Sequence, residues 1–449
     1  MILPFKGIAM SSCTSKQVLE KINVDVKRHS KMMKAAYGAY ENLFMSQKNR
    51  PKAMEYFDWF MKEFQGERIV EIDKVKQQGK PAIGTFCIFV PEEIVVGAGG
   101  ACFGLCGGSQ MPIADAETEL PRNICPLIKS AHGFKLQRTC AFTQSSDFIY
   151  GETTCEAKKK TWEILNKHHK THVMYIPHMK REQDLKTWKN EVKEFKKHIE
   201  EVIGRDLSYE EMVEGIEIIN RKRDALLRLD KLRGFNKEVM PISGKDALFV
   251  VQASFIDEPV RFTEKVNLLC DELEERLSNN VSVYEKDTPR LMVLGTPFAL
   301  PNWKLHAAVE DSGGVIINEE SCIGHRYYKD NVNLENIKDE ESLMDELVDR
   351  YSKVDCACFT PNEGRVEKII QMYKDRKADG VIYYTLSFCH TYNVESFLVK
   401  EKLAEAGIPC LTIESDYSAE DVGQIKTRVE AFLESISFQQ KAKKFQEGL

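Results

Sequence analysis

The 449-residue chain contains no Cys-x-x-Cys pair, no zinc-finger spacing and no ferredoxin-type cysteine run, so no short motif holds a metal by itself. It has no Walker sequence, and no glycine-rich phosphate motif follows a strand, which argues against nucleotide hydrolysis by this chain. No apolar run approaches the roughly 20 residues of a membrane helix. The opening MILPFKGIAMSSC is too short, and too broken by Pro4 and Lys6, for a secretion signal. The expectation is a cytoplasmic protein with no membrane association. Charge of one sign is also scarce: 63 Lys and Arg against 69 Asp and Glu leave a net −6, which argues against a nucleic-acid partner.

Cysteine, in contrast, is plentiful. Thirteen thiols in so long a chain, an odd count, do not describe a disulfide scaffold. Reduced thiols act as small buried hydrophobes, nucleophiles or metal ligands. Any metal here has to be gathered from distant segments, since the only close pairs are Cys102 with Cys106 and Cys356 with Cys358.

The chain is too long for one core. Helical periodicity over 15–70, broken at Pro51, predicts a helical N-terminal segment, 1–78. PAIGTFCIFV, SDFIYG and HVMYIP read as buried strands with helices between them, an α/β lobe over 79–183. Long charged amphipathic stretches such as LKTWKNEVKEFKKHIEEVI predict a helical connector, 184–286. RLMVLGT, GGVIINEES, DGVIYYTLSF and PCLTIES then alternate with helices to give a second lobe, 287–449. The fold class is α/β, with two doubly wound parallel-sheet lobes.

Ligands of open α/β sheets bind beyond the carboxyl ends of the strands, and six cysteines fall at sheet tops or helix starts. Cys125, Cys140 and Cys155 belong to the first lobe and Cys322, Cys356 and Cys389 to the second. Cys356 precedes Thr360-Pro361, read as a cap with proline at the first helical position. Helix starts offer unpaired N–H groups that suit sulfur ligands and sulfide. The stretch GETTCEAKKKTWEIL sets Lys158, Lys159 and Lys160 in the first turns of a helix, where the macrodipole disfavours them. A thiolate-bound iron–sulfur group accounts for them, the lysines offsetting its charge or facing solvent beyond it.

GTFCIFVPEEIVVGAGG, LPRNICPLIKS, GETTCEAKKKTWE, PISG and CHTYNVES with IESDYS together resemble the 2-hydroxyacyl-CoA dehydratase and benzoyl-CoA reductase superfamily. Within it the chain is most similar to the double-cubane cluster proteins. The resemblance implies one cubane on Cys125, Cys155 and Cys389, and a second on Cys140, Cys322 and Cys356, with Cys358 able to replace Cys356. Two cubanes sharing a sulfide need six cysteines in all. The implied cofactor is an [8Fe-9S] cluster, and the implied state a homodimer. The implied activity is low-potential reduction of small molecules such as acetylene, driven by a separate ATP-hydrolysing iron–sulfur reductase. The alternatives are a dehydratase subunit with a single [4Fe-4S] cubane and a non-catalytic electron carrier. Glu156-Ala157 replaces the Asp-Gly more usual in the family after the cysteine matching Cys155.

His390, beside Cys389, reads either as a proton or hydrogen-bond donor to the cluster or as a helix-start residue bonded to backbone. Cys87 reads as strand core, Cys102 and Cys106 as residues of a glycine-rich loop, and Cys13, Cys270 and Cys410 as structural. Lys129 and Arg122 are expected near Cys125, His168, His169 and His172 in cap and surface roles, and Arg365, at a helix start, either in solvent or compensating anionic sulfur.

Overall fold

A computed structural model of the chain describes residues 12–236 and 238–447. Eight strands among these form two parallel sheets. β1 (Ala82–Thr85), β2 (Ala101–Gly104), β3 (Phe148–Glu152) and β4 (Thr171–Met174) make the first, and β5 (Arg290–Gly295), β6 (Val315–Glu320), β7 (Gly380–Leu386) and β8 (Cys410–Ser415) the second. Their orders are β2-β1-β3-β4 and β6-β5-β7-β8, so both lobes share one topology. β1, β3, β5, β6 and β7 are buried at every position, as strands covered by helices on both faces must be. β4 is less buried than HVMYIP implied, with Val173 and Tyr175 exposed at the sheet edge.

Four helices, Glu182–Ile203, Tyr209–Gly234, Gly244–Ala253 and Pro259–Ser278, separate the sheets. The first buries Trp188, Val192, Phe195 and Ile199, a 4-3-4 spacing that is one face of a helix, and it ends at Gly204 with φ +70°, the left-handed cap glycine favours. The helix Tyr209–Gly234 crosses the helix Glu92–Gly97 so closely that a Cβ on Gly215 would lie 2.1 Å from the Glu93 carbonyl oxygen. Beside this crossing Arg223 donates to Glu93 at 2.6 Å, and Tyr351 from the second lobe donates to Glu93 at 2.7 Å. The N-terminal helices lie against this frame through Tyr40 and Phe44, which stack on each other and contact Phe249 and Trp303. One continuous apolar core therefore joins all four segments.

Three local expectations change. PAIGTFCIFV is a strand only to Thr85, and a turn then leads to the helix Glu92–Gly97. Cys102 lies within β2 rather than in a loop. Pro361 precedes a helix that begins at Glu363 with Asn362 as its cap, so it is not the first helical residue.

Candidate metal-cluster site

Each sheet reverses its winding between its central strands, β1 and β3 or β5 and β7, and the crevice beyond their carboxyl ends is the ligand position of such folds. Thiols fill it from both lobes. Cys87 follows β1 by two residues, Cys106 follows β2 by two and Cys155 follows β3 by three, while Cys322 follows β6 by two and Cys389 follows β7 by three. Cys125, Cys155 and Cys389 are N-cap residues of the helices Pro126–Gln137, Glu156–Leu165 and His390–Glu405. These thiols, with Cys140, Cys356 and Cys358, line a single cavity of about 650 Å³.

Within the cavity the sulfurs form two groups. Cys125, Cys389 and Cys155 stand in mutual electrostatic contact. The neighbouring Cys389, helped by the Leu127 and Ile128 backbone amides, holds the Cys125 thiol below its ordinary range against the effect of burial. The second group is a chain of contacts from Cys87 to Cys322, Cys356 and Cys358. Cys322 pulls the Cys87 thiol down to about 6, with Lys158 adding to the pull. The neighbouring Cys322 and Cys358 hold the Cys356 thiol well below its usual range, while Cys322 and Cys358 are themselves pushed well above it. Buried thiols that share protons in this way are poised to exchange them for metal.

Positive charge is buried alongside. Lys158 is 8% exposed; burial opposes its charge, yet Cys87, Glu152, Cys106 and Cys155 keep it protonated well above the usual range. Lys159 and Lys160 point outward and pair with Glu156 and Glu163. The lysine run thus divides, one residue facing the thiols and two facing solvent. Arg326 reaches Cys322 Sγ at 3.8 Å and is fixed by Glu320 and the Tyr392 hydroxyl. Tyr392 in turn contacts Cys356 Sγ at 3.4 Å. Arg365 is not in solvent but buried between Glu320 and Glu395, with its guanidinium over the Tyr392 ring. Glu152 accepts from the Cys87 N–H at 3.0 Å. Burial, then the neighbouring Cys87, push its carboxyl up to about 8.

The structure brings together Cys125, Cys155 and Cys389, and Cys322 with Cys356 and Cys358. Cys140 lines the same cavity from the N-cap position of the short helix Ala141–Ser145, with Thr143 and Lys135 as its polar neighbours. Cys87, read as strand core, joins the second group instead. Cys106 lines the same cavity and donates to the Phe86 carbonyl. His390 lies exposed on the cavity wall. Lys129 binds Glu117 and the Arg122 carbonyl, and Arg122 is exposed, so neither faces the sulfurs. Cys270 is buried in the core and Cys410 begins β8; the Cys13 side chain lies outside the described residues. Arg326 is the functional neighbour that sequence reasoning missed, although it stands four residues after Cys322 in SCIGHR.

The donor set fits a thiolate-ligated cluster, with sulfurs converging from both lobes and buried cations beside them. Comparison with known proteins agrees at the level of family. The family model for 2-hydroxyglutaryl-CoA dehydratase, D-component, matches residues 87–436. The chain belongs to this family. Among relatives, the putative dehydratase subunit YjiM of Escherichia coli is 34% identical over 387 residues, covering 85% of this chain and 97% of that protein. The (R)-phenyllactyl-CoA dehydratase beta subunit of Clostridium sporogenes is 24% identical, covering 81% of this chain and 93% of its own. The beta subunit of (R)-2-hydroxyglutaryl-CoA dehydratase from Acidaminococcus fermentans is also 24% identical, covering 81% and 94%. Among the described residues of this family member, no helix is long and apolar enough to cross a membrane.

Proposed function

We propose that this protein holds a double-cubane [8Fe-9S] cluster and performs low-potential reduction of small molecules such as acetylene. Cys125, Cys155 and Cys389 would hold one cubane, and Cys87, Cys322 and Cys356 the other, with Cys358 as the substitute for Cys356. Cys87 is preferred to Cys140 in this set because it stands in electrostatic contact with Cys322 and Cys356. The single observation that carries the reading is the gathering of two separate thiol groups, one dominated by each lobe, around one cavity. When bound, the cluster supplies stored low-potential electrons.

The chain's own residues control charge, protons and access. Lys158 and Arg326 offset anionic sulfur in a medium where few waters can do so. Glu152, with a carboxyl pushed up to about 8, keeps a proton beside Cys87 at neutral pH, and Tyr392 keeps its hydroxyl proton next to Cys356. Away from the sulfurs the cavity is lined by Met32, Met33, Ala36, Phe142 and Phe255, which excludes water and suits a small uncharged substrate. His390 at the wall is a candidate proton donor. Electrons would come from a separate ATP-hydrolysing iron–sulfur reductase. The apolar face of the helix His390–Glu405, with Val394, Phe397 and Leu398 more than half exposed, supports a homodimer contact.

Turnover of acetylene with reductase and ATP tests the activity, and loss of that turnover in Cys155→Ala is expected. A non-catalytic carrier would bind the same iron and give no product. The relatives' names favour one alternative, a 2-hydroxyacyl-CoA dehydratase subunit with a single [4Fe-4S] cubane on Cys125, Cys155 and Cys389. That alternative predicts that Cys322→Ala leaves the iron content unchanged.

A further inference from the structure

Two histidines and a glutamate converge away from the thiols, along the helix capped by Cys125 and past the far end of the helix capped by Cys155. Glu119 lies in the turn after the short helix Ile113–Ala116, His132 on the inner face of the helix Pro126–Gln137, and His168 in the turn that ends the helix Glu156–Leu165. His132 Nε2 is 2.9 Å from Glu119 Oε2, and His168 Nε2 is 3.0 Å from both carboxylate oxygens. One ligand atom from each residue lies within 4.8 Å of the other two. A satellite apolar cluster of Ala116, Leu120 and Ile128, with Cys125, Cys155 and Ile164 against it, packs the three segments together. His132 is buried at 1%, while Glu119 and His168 keep about a third of their side chains in solvent.

We propose that Glu119, His132 and His168 form a binding site for one divalent first-row metal ion, with zinc the best match. Two imidazoles and one carboxylate with an open fourth position are a donor set zinc accepts. Metal–ligand bonds of about 2.0–2.2 Å set tetrahedral ligand–ligand edges of about 3.3 Å. The two histidine–carboxylate spacings lie within about half an ångström of that edge and the third pair lies within 4.8 Å, so small rotations of the two partly exposed side chains close the site. Both imidazoles already aim a ring nitrogen at a single carboxylate, and the three segments are held by packing before any ion arrives. The second imidazole nitrogen of His132, Nδ1, is buried with no hydrogen-bond partner among the described residues; with the metal on Nε2 it carries the ring proton. The ion ties the helix capped by Cys125 to the helix capped by Cys155. The site stands whether or not the thiols hold a cluster.

The test uses the full-length protein, purified anaerobically, stripped with a chelator and then titrated with Zn²⁺ alone and with Co²⁺ alone. One zinc per chain is expected in excess of any held by the thiols. Beside any thiolate-to-cobalt band from the cavity, the cobalt form should show d–d absorption of nitrogen and oxygen ligation that His168→Ala removes. His168→Ala and Glu119→Gln, both at partly exposed positions, should each weaken that binding at least about 10-fold with an unchanged circular dichroism spectrum. Cys125→Ser should leave it intact. Zinc uptake that is the same in wild type and both variants, or cobalt spectra that report sulfur ligation only, reduces the trio to a hydrogen-bonded cluster and overturns the site.

Discussion

Replacing Lys158 with methionine removes the buried ammonium that faces Cys87, Cys106, Cys155 and Glu152 while keeping most of the side-chain volume. Unit charges roughly 4–6 Å apart at an effective dielectric of about 20 interact by about 3–4 kcal/mol, which for one electron is about 120–170 mV. Spreading the added electron over several irons dilutes the effect, so a fall in reduction potential of at least about 50 mV is the expected result. Redox titration followed by electron paramagnetic resonance reads it directly. Lys158→Arg should restore most of the loss, because the charge returns. Lys159→Met and Lys160→Met should change nothing, since both side chains pair with exposed glutamates. The cluster-free protein offers a second reading: Lys158 helps pull the Cys87 thiol down to about 6, so thiolate absorbance near neutral pH should decrease in the methionine variant. A potential within about 20 mV of wild type, or equal shifts from Lys158 and Lys159 variants, would refute the electrostatic assignment.

Cys87→Ala should lower bound iron, whereas Cys140→Ala should leave iron and spectrum intact; the reverse pattern in parallel iron assays would restore Cys140 to the ligand set. Glu93→Ala leaves the fully buried Arg223 guanidinium with only the more distant Glu92 carboxylate at 4.0 Å, and loss of one partner of such a pair costs up to about 3–5 kcal/mol, readable as a lowered urea midpoint. Glu310 has its carboxyl raised to about 7, by burial above all. The native state therefore binds more protons than the unfolded chain between about 4.5 and 7, and this contribution is full below 4.5 and lost as pH rises through 7. Glu310→Gln keeps the acceptor for the Lys245 N–H and should flatten that decline, by at most about 3 kcal/mol; parallel pH–stability curves for the two proteins would count against it.

The sheet interiors were legible because LMVLG and GVIYY are uninterrupted apolar runs of strand length, and the connector because Trp188, Val192, Phe195 and Ile199 recur at helical spacing. Cys87 was not, for a physical reason. TFCIFV continues the apolar run, but beyond Thr85 side chains replace the ladder: Cys106 Sγ bonds the Phe86 carbonyl and Glu152 takes the Cys87 N–H. β2 was hidden by its glycines, although Gly104 has a strand role, since a Cβ there would press on Phe255. The lysine run could be noticed in the sequence, but only helix phase divides Lys158 from its neighbours. Arg365 looked exposed at a helix start because its carboxylate partners, Glu320 and Glu395, come from β6 and from another helix. Site chemistry assembled by crossing chain segments leaves little local trace.

The most direct measurement is iron and acid-labile sulfide per chain in anaerobically purified protein. Linked cubanes on both thiol groups predict about eight iron and nine sulfide per chain, with iron lost in Cys87→Ala and in Cys322→Ala. About four iron and four sulfide per chain, unaffected by either substitution, would contradict the account.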